Sequence, residues 1–215
     1  MKKIAVVLSG CGFKDGAEIT ESVSTLIALS KNNVDYQVFA PNTNFTATNH
    51  LTDDHGELRN ALTESARISR GQSKDLTELK ADDFDAVVFP GGFGAALYLC
   101  TWAKDGARCQ VHSDAERIIK DFYSQSKPIG AICIAPVLIA RVLGDKNISV
   151  TIGNDKETSQ EIAKTGATHV ECLVDDYVTD RESKVITTPA YMYNAKPDQV
   201  FTGISKAIKE LVEMA

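Results

Sequence analysis

The chain has 215 residues, 43% of them hydrophobic and 24% charged, with a formal net charge of −6 at pH 7. That length buries an ample core, and the composition is that of a globular protein rather than a disordered segment. The negative charge speaks against nucleic acid or an anionic membrane as partners, since both call for a basic surface. No apolar run approaches the length of a bilayer span.

Lys2 and Lys3 lead directly into a strand-length apolar run with no leader-like apolar segment, so the expected compartment is the cytoplasm. Residues 3–8 read as a buried strand. The glycine-rich loop SGCGFKDG follows, and then a helical pattern over 17–30 with apolar residues at Ile19, Val23, Leu26 and Ile27. Glu18 and Glu21 open that helix, and their spacing puts both carboxylates on a similar face. Taken alone, such a pair is also what a helix N-terminus favours electrostatically.

A second strand is predicted at 36–39. Residues 46–83 then break the alternation: they are polar overall, with a helical stretch near 58–68 and too few large apolar residues for a separate core. They read as an inserted, cap-like segment within a single domain spanning 1–215. Arg59, Arg67 and Arg70 are spaced along it for ion pairing, while one of them facing a pocket would favour a carboxylate-bearing ligand.

The strand at 86–89 runs into PGGFG, whose adjacent glycines let backbone N–H groups approach a ligand and hold an oxyanion. Neither this turn nor the first loop carries a complete nucleotide-binding fingerprint, so no cofactor is expected. Tyr98 and Trp102 read as packing or oligomer contacts. After a helix at 113–124, the strand at 129–132 delivers Cys133 to the start of the next helix in GAICIAPVLIA. The dipole and free N–H groups of that helix are expected to lower the thiol pKa and make Cys133 a nucleophile. The alternative is a small apolar filler, because free cysteine is commonly buried.

Short strands are predicted at 149–152, 169–172, 177–179 and 184–187, and a helix at 197–213. Strands alternating with amphipathic helices imply right-handed crossovers. The expected fold is α/β: three layers around a doubly wound, mostly parallel sheet. In such sheets ligands bind beyond the carboxyl ends of the strands, where the first loop, the Pro-Gly-Gly turn and Cys133 all fall.

The five cysteines form no C-x-x-C pair, which suits reduced thiols rather than a disulfide framework or structural zinc. Cys11, in the first loop, is a candidate pocket-lining residue or second redox-sensitive thiol. Cys100, Cys109 and Cys172 read as structural. His50, His55 and His112 sit in polar stretches, and His169 reaches the site only if its strand lies beside Cys133.

The strand-to-helix cysteine, the Pro-Gly-Gly turn and the Gly-Ala-Glu-x-x-Glu helix start together resemble the PfpI/ThiJ superfamily, whose fold is like that of class I glutamine amidotransferases. The strings SGCGFKDGAEITESV, NHLTDDHGELRNALTESARISRG, VVFPGGFGAA, CIAP, VDDYVTD and VITTPAYM resemble its ElbB branch, called glyoxalase ElbB or enhancing-lycopene-biosynthesis protein, from about residue 3 to residue 193. The resemblance implies Cys133 as the nucleophile and Glu21 as the carboxylate that contacts its sulfur and shuttles protons, with Glu18 a lesser candidate. It implies an oxyanion hole from the N–H groups of Gly91 or Gly92 and of Ile134. The activity implied is cofactor-free and metal-free conversion of glyoxal, or a related small aldehyde or dicarbonyl, to a hydroxy acid by a homodimer.

Two departures narrow this. Ile134 stands where amidotransferases and protease-like relatives place a histidine, and VITTPAYM lacks a His-x-Glu pair. Glutamine hydrolysis is therefore not expected, because its leaving amine needs a general acid. The alternative function is a redox-sensing or accessory protein linked to isoprenoid biosynthesis, with little turnover of its own.

Overall fold

The computed structural model describes residues 1–215. In chain order the elements are β1 (Lys3–Val7), α1 (Ile19–Lys31), β2 (Asp35–Ala40), β3 (Asn44–Thr48), β4 (His55–Asn60), α2 (Ala61–Ile68), β5 (Ser73–Asp75) and β6 (Ala86–Phe89). They continue with α3 (Phe93–Leu97), α4 (Trp102–Asp105), α5 (Ser113–Ser124), β7 (Ile129–Ile132), α6 (Pro136–Leu143) and β8 (Ser149–Val150). The chain closes through α7 (Lys156–Ala163), β9 (Thr168–His169), β10 (Val178–Asp180), β11 (Val185–Thr188) and α8 (Pro197–Met214).

Seven strands form the central sheet in the order β10-β11-β7-β6-β1-β2-β5, all parallel except the edge strand β10. Strand side chains alternate between the two faces. Ala5, Val7, Val87, Phe89, Ile129 and Ala131 enter one apolar cluster, with Ile118, Ile119 and Phe122 of α5 and Val137 and Leu138 of α6. Ile4, Val6, Ala86, Val88 and Ile132 enter the other, with Ala28 and Leu29 of α1 and Ile204, Ile208 and Leu211 of α8. This is the doubly wound, three-layer α/β fold expected, and burial on both faces explains why the core strands read as unbroken apolar runs. No helix is long and apolar enough to cross a membrane.

Within residues 46–83 the helical stretch predicted near 58–68 begins later than expected. Residues 55–60 are strand, paired antiparallel with β3, and the helix starts only at Ala61 behind the Asn60 cap, whose side chain accepts from Thr63 N–H at 3.1 Å. Pairing with β3 overrides the local helical pattern. α2 packs on β2 and β5, and β5 extends the main sheet, so only the β3–β4 hairpin stands apart. The strand predicted at 169–172 is also shorter: Thr168 and His169 pair with β8 in a separate two-stranded sheet. Nothing in its local pattern distinguishes that pairing from entry into the main sheet.

The hairpin and α2 grip the first glycine-rich loop. Buried Asp15 accepts from Thr48 N–H at 2.6 Å, and Ser65 Oγ accepts from Gly10 N–H at 2.9 Å. Phe45 stacks on Tyr98 with ring centroids 4.9 Å apart, tying the hairpin to the segment after α3.

A cysteine and carboxylate pair as the candidate active site

Sheet order reverses between β1 and β6, and three loops meet beyond their carboxyl ends, as expected for a topological switch point. Hydrogen bonds stitch the first loop to the Pro-Gly-Gly turn: Glu18 N–H to Gly91 O at 3.0 Å, Gly94 N–H to Gly16 O at 2.9 Å and Phe93 N–H to Phe13 O at 2.8 Å. Gly92 permits this close contact. Its φ is +93°, and a Cβ there would lie 2.4 Å from both Gly16 O and Glu18 N.

Cys133 follows β7 in a left-handed conformation, φ +61°, that a residue with a side chain adopts only under constraint. Its N–H is tied to Thr188 O at 2.9 Å, and Ala135 N–H closes on Ile132 O at 3.0 Å before α6 begins. The resulting elbow turns the thiol toward Gly91, Gly92 and Glu21. The N–H groups of Gly92 and Ile134 face the sulfur.

Glu21 lies in the first turn of α1 and is completely buried. One carboxyl oxygen accepts from Gly91 N–H at 3.0 Å and the other from Tyr191 N–H at 3.3 Å, and the carboxyl sits beside the Cys133 thiol, close enough for the two to shift each other's protonation. Burial, reinforced by the charge of Glu18, pushes the Glu21 carboxyl up to about 8. Burial and the neighbouring Glu21 charge likewise raise the Cys133 thiol well above its usual range, against the lowering expected from the helix N-terminus. Two negative charges cannot be held side by side in a dry site, so the pair carries at most one. Its resting form is a thiol beside a carboxyl group, not a free thiolate.

The other predicted residues separate. Glu18 caps α1 in extended conformation, its side chain accepting from Glu21 N–H at 2.7 Å. It lines the cavity but does not reach the sulfur through any hydrogen bond, and burial raises its pKa. Gly91 N–H is committed to Glu21, which leaves the Gly92 and Ile134 N–H groups facing the sulfur. Cys11 does not line the cavity: burial and the charges of Glu64 and Asp15 raise its thiol pKa, opposed by Arg67 and Arg59. Arg59 and Arg67 both pair with Glu64, at 3.6 Å and 2.9 Å, and neither they nor Arg70 line the cavity.

No histidine lines the cavity. His112 caps α5, accepting from Asp114 N–H at 3.2 Å, and His169 accepts from Ile152 N–H at 3.3 Å. Nor do three His, Cys, Asp or Glu side chains gather as a metal site.

Two contributors carried no signal in the sequence. Tyr191 N–H is aimed at Glu21 by Ala190, which is buried with φ +44°. The segment from Trp102 to Arg108 forms one wall of the cavity, facing α7, so Trp102 serves the site as well as the packing. The cavity measures 1310 Å³ and opens over Cys133, with Phe93, Tyr191 and Met192 beside it.

Gly91 packs so tightly that a Cβ would fall 2.6 Å from Cys133 Cβ and 2.7 Å from a Glu21 oxygen. Gly91→Ala is expected to cost about 1–3 kcal/mol through overpacking and to separate the pair. Thermal unfolding, with alkylation of Cys133 as a second readout, checks it.

A DJ-1/PfpI family profile matches residues 2–193. The chain is 41% identical to a human protein, glutamine amidotransferase-like class 1 domain-containing protein 3, mitochondrial, covering 99% of this chain and 83% of that one. It is 37% identical to the zebrafish ES1 protein, mitochondrial, covering 98% and 85% of the two chains. Among solved structures, an isoprenoid biosynthesis protein with an amidotransferase-like domain from Ehrlichia chaffeensis superposes with a TM-score of 0.92 at 36% identity, covering 100% and 99% of the two chains. Drosophila melanogaster DJ-1beta, at 18% identity and a TM-score of 0.58, shares the fold. The elbow cysteine, the carboxylate beneath it and the sheet that positions them thus belong to a member of the DJ-1/PfpI family.

Proposed function

We propose that the chain is a cofactor-free glyoxalase-type enzyme that converts glyoxal or a related small dicarbonyl to a hydroxy acid. The observation that carries this reading is the buried Glu21 carboxyl set beside the Cys133 thiol across Gly91, where its charge raises the thiol pKa, with the Gly92 and Ile134 N–H groups facing the sulfur. Glu21 as carboxylate takes the thiol proton as sulfur attacks one aldehyde carbon, and the carbonyl oxygen picks up a proton to give a hemithioacetal. Glu21 then moves the hydrogen of that carbon, as a proton, to the neighbouring carbonyl carbon. The first carbon is thereby oxidised to a thioester and the second reduced to an alcohol. Water cleaves the thioester, releasing glycolate and the free thiol, so glyoxal plus water balances glycolate.

Fixed donors placed where negative charge develops are typically worth about 3 kcal/mol each. The absence of histidine from the cavity suits this chemistry, which has no leaving amine to protonate. The test is steady-state kinetics over a panel of aldehydes and dicarbonyls. Turnover confined to 1,2-dicarbonyls supports the reading, and none with any of them overturns it. The five free cysteines suit a reducing compartment, and the human and zebrafish relatives are named as mitochondrial proteins. Ile19, Val23 and Ile27, an exposed apolar row on α1, support a homodimer, which sedimentation velocity checks.

A second reading, an accessory or redox-sensing role in isoprenoid biosynthesis, draws support from the related Ehrlichia chaffeensis protein. It predicts negligible turnover with oxidation-dependent partner binding. The raised Cys133 thiol weighs against it, since ready oxidation needs a thiolate.

A further inference from the structure

A second pair of thiols lies outside the Cys133 site. Cys100 and Cys109 are both free and almost fully buried, 3% and 1% exposed. The main chain brings them together. Cys100 bridges antiparallel to Val111, flanked by Thr101 N–H on Gln110 O and His112 N–H on Leu99 O, each at 2.9 Å. Residues two apart on a strand share a face, so Cys109 projects on the Val111 side, diagonally across from Cys100. The Cys100 thiol donates to Ala95 O at 3.5 Å, and the two sulfurs are near enough for each to shift the other's protonation. Arg141 Nε donates to Cys109 O at 2.9 Å, holding a guanidinium beside that sulfur.

The chain between these two cysteines gives the pair its reach. Every residue from Trp102 to Arg108 lines the cavity over Cys133, and this wall is pinned to α7 where Ala107 N–H donates to Glu161 at 3.1 Å. A covalent bond between Cys100 and Cys109 would fasten the base of the wall.

We propose that Cys100 and Cys109 are a redox-active dithiol, a modification site that hydrogen peroxide or an organic hydroperoxide oxidises to a disulfide, clamping the 102–108 wall of the cavity. Cys109 is the attacking sulfur because the Arg141 guanidinium and the neighbouring Cys100 thiol favour its thiolate. It attacks one peroxide oxygen, the O–O bond breaks, and hydroxide leaves as Cys109 becomes a sulfenic acid. The Cys100 sulfur then attacks the sulfenic sulfur, the S–O bond breaks, and the S–S bond forms as water leaves. Two thiols lose two electrons and two protons, and hydrogen peroxide becomes two waters. A thiol reductant reverses the step by exchange.

The experiment uses the full chain carrying Cys133→Ala, so that the elbow thiol does not compete for oxidant, with the wild type alongside. The native protein is treated with hydrogen peroxide, free thiols are alkylated, and peptides are mapped by mass spectrometry. Trp102, the only tryptophan, sits between the two cysteines and reports on the wall by fluorescence. The expected result is a Cys100–Cys109 cross-linked peptide, lighter by two hydrogens. It forms in step with a Trp102 emission change that dithiothreitol reverses and that Cys100→Ser and Cys109→Ser each abolish. Recovery of both cysteines alkylated, or a link formed only in urea-unfolded chain, overturns the proposal. An emission change that persists in both serine variants overturns it equally. None of these readouts depends on glyoxal turnover, so the dithiol and the glyoxalase reading stand or fall separately.

Discussion

Cys133→Ala is expected to reduce glyoxal consumption at least about 1000-fold, because no other group can form the covalent adduct through which the carbon is oxidised. The elbow itself should survive. Alanine meets the same left-handed backbone constraint as cysteine, and the Cys133 N–H bond to Thr188 O does not involve the side chain. The Glu21 carboxyl keeps its Gly91 and Tyr191 N–H donors when the sulfur is lost, so stability should change little. Circular dichroism and thermal unfolding establish that the variant is folded, and progress curves with glyoxal give the rate. Cys133→Ser is a stricter control: it keeps a hydroxyl to bond Glu21 but lacks the nucleophilicity of sulfur, and it should be nearly as inactive. A folded Cys133→Ala protein with wild-type kcat/KM would end the glyoxalase assignment to this site.

Glu21→Gln is expected to change both rate and stability, each with a definite dependence on pH. For the rate, the pair must lose its proton before sulfur attacks, so kcat/KM of the wild type should rise as pH passes through about 8. The apparent value belongs to the pair rather than to either residue. Glutamine cannot take the proton, so the variant should lose activity and its rising limb near that pH.

The Glu21 carboxyl is raised in the folded state from 4.5 to about 8. Between those values the folded chain keeps a proton that the unfolded chain has released. Stability is therefore fully present below 4.5 and is lost as pH climbs to about 8. The slope is about 1.4 kcal/mol per pH unit, a loss on the order of a few kcal/mol in all. Glu21→Gln removes the titration and should flatten this part of the profile. Glutamine has only one acceptor oxygen for the Gly91 and Tyr191 N–H groups, which subtracts about 1–3 kcal/mol at every pH without restoring the slope. Urea unfolding of both proteins between pH 5 and 9 reads the difference. Parallel profiles would show that Glu21 is not the protonated group.

Several features were legible along the chain because their physics is local. Short Val- and Ile-rich runs between turns mark buried parallel strands, and the Pro-Gly-Gly turn marks a place where backbone approaches backbone. The sequence around Cys133 carries the strand-to-helix turn, and Glu21 stands in a recognisable helix start. The helix expected across 58–68 failed at its first residues because cross-strand pairing with β3 outweighs local propensity there. The protonation of the pair differs from the sequence expectation for a related reason. A dipole at a helix N-terminus is visible in sequence, whereas the desolvation that outweighs it depends on how many atoms close over the sulfur and the carboxyl.

By itself, then, the amino-acid order determined the doubly wound architecture, the strand-end placement of Cys133 and the exclusion of an amidotransferase histidine beside it. Tertiary structure alone decided that Gly91 serves Glu21 instead of an oxyanion and that Cys11 turns away from the cavity. It also decided that Tyr191 reaches back to the carboxyl and that the segment of Cys100 pairs with the one just after Cys109 at the base of the cavity wall. The first group follows from periodicity and from residue types a few positions apart. The second depends on which distant segments close on one another, and burial then sets where the protons sit.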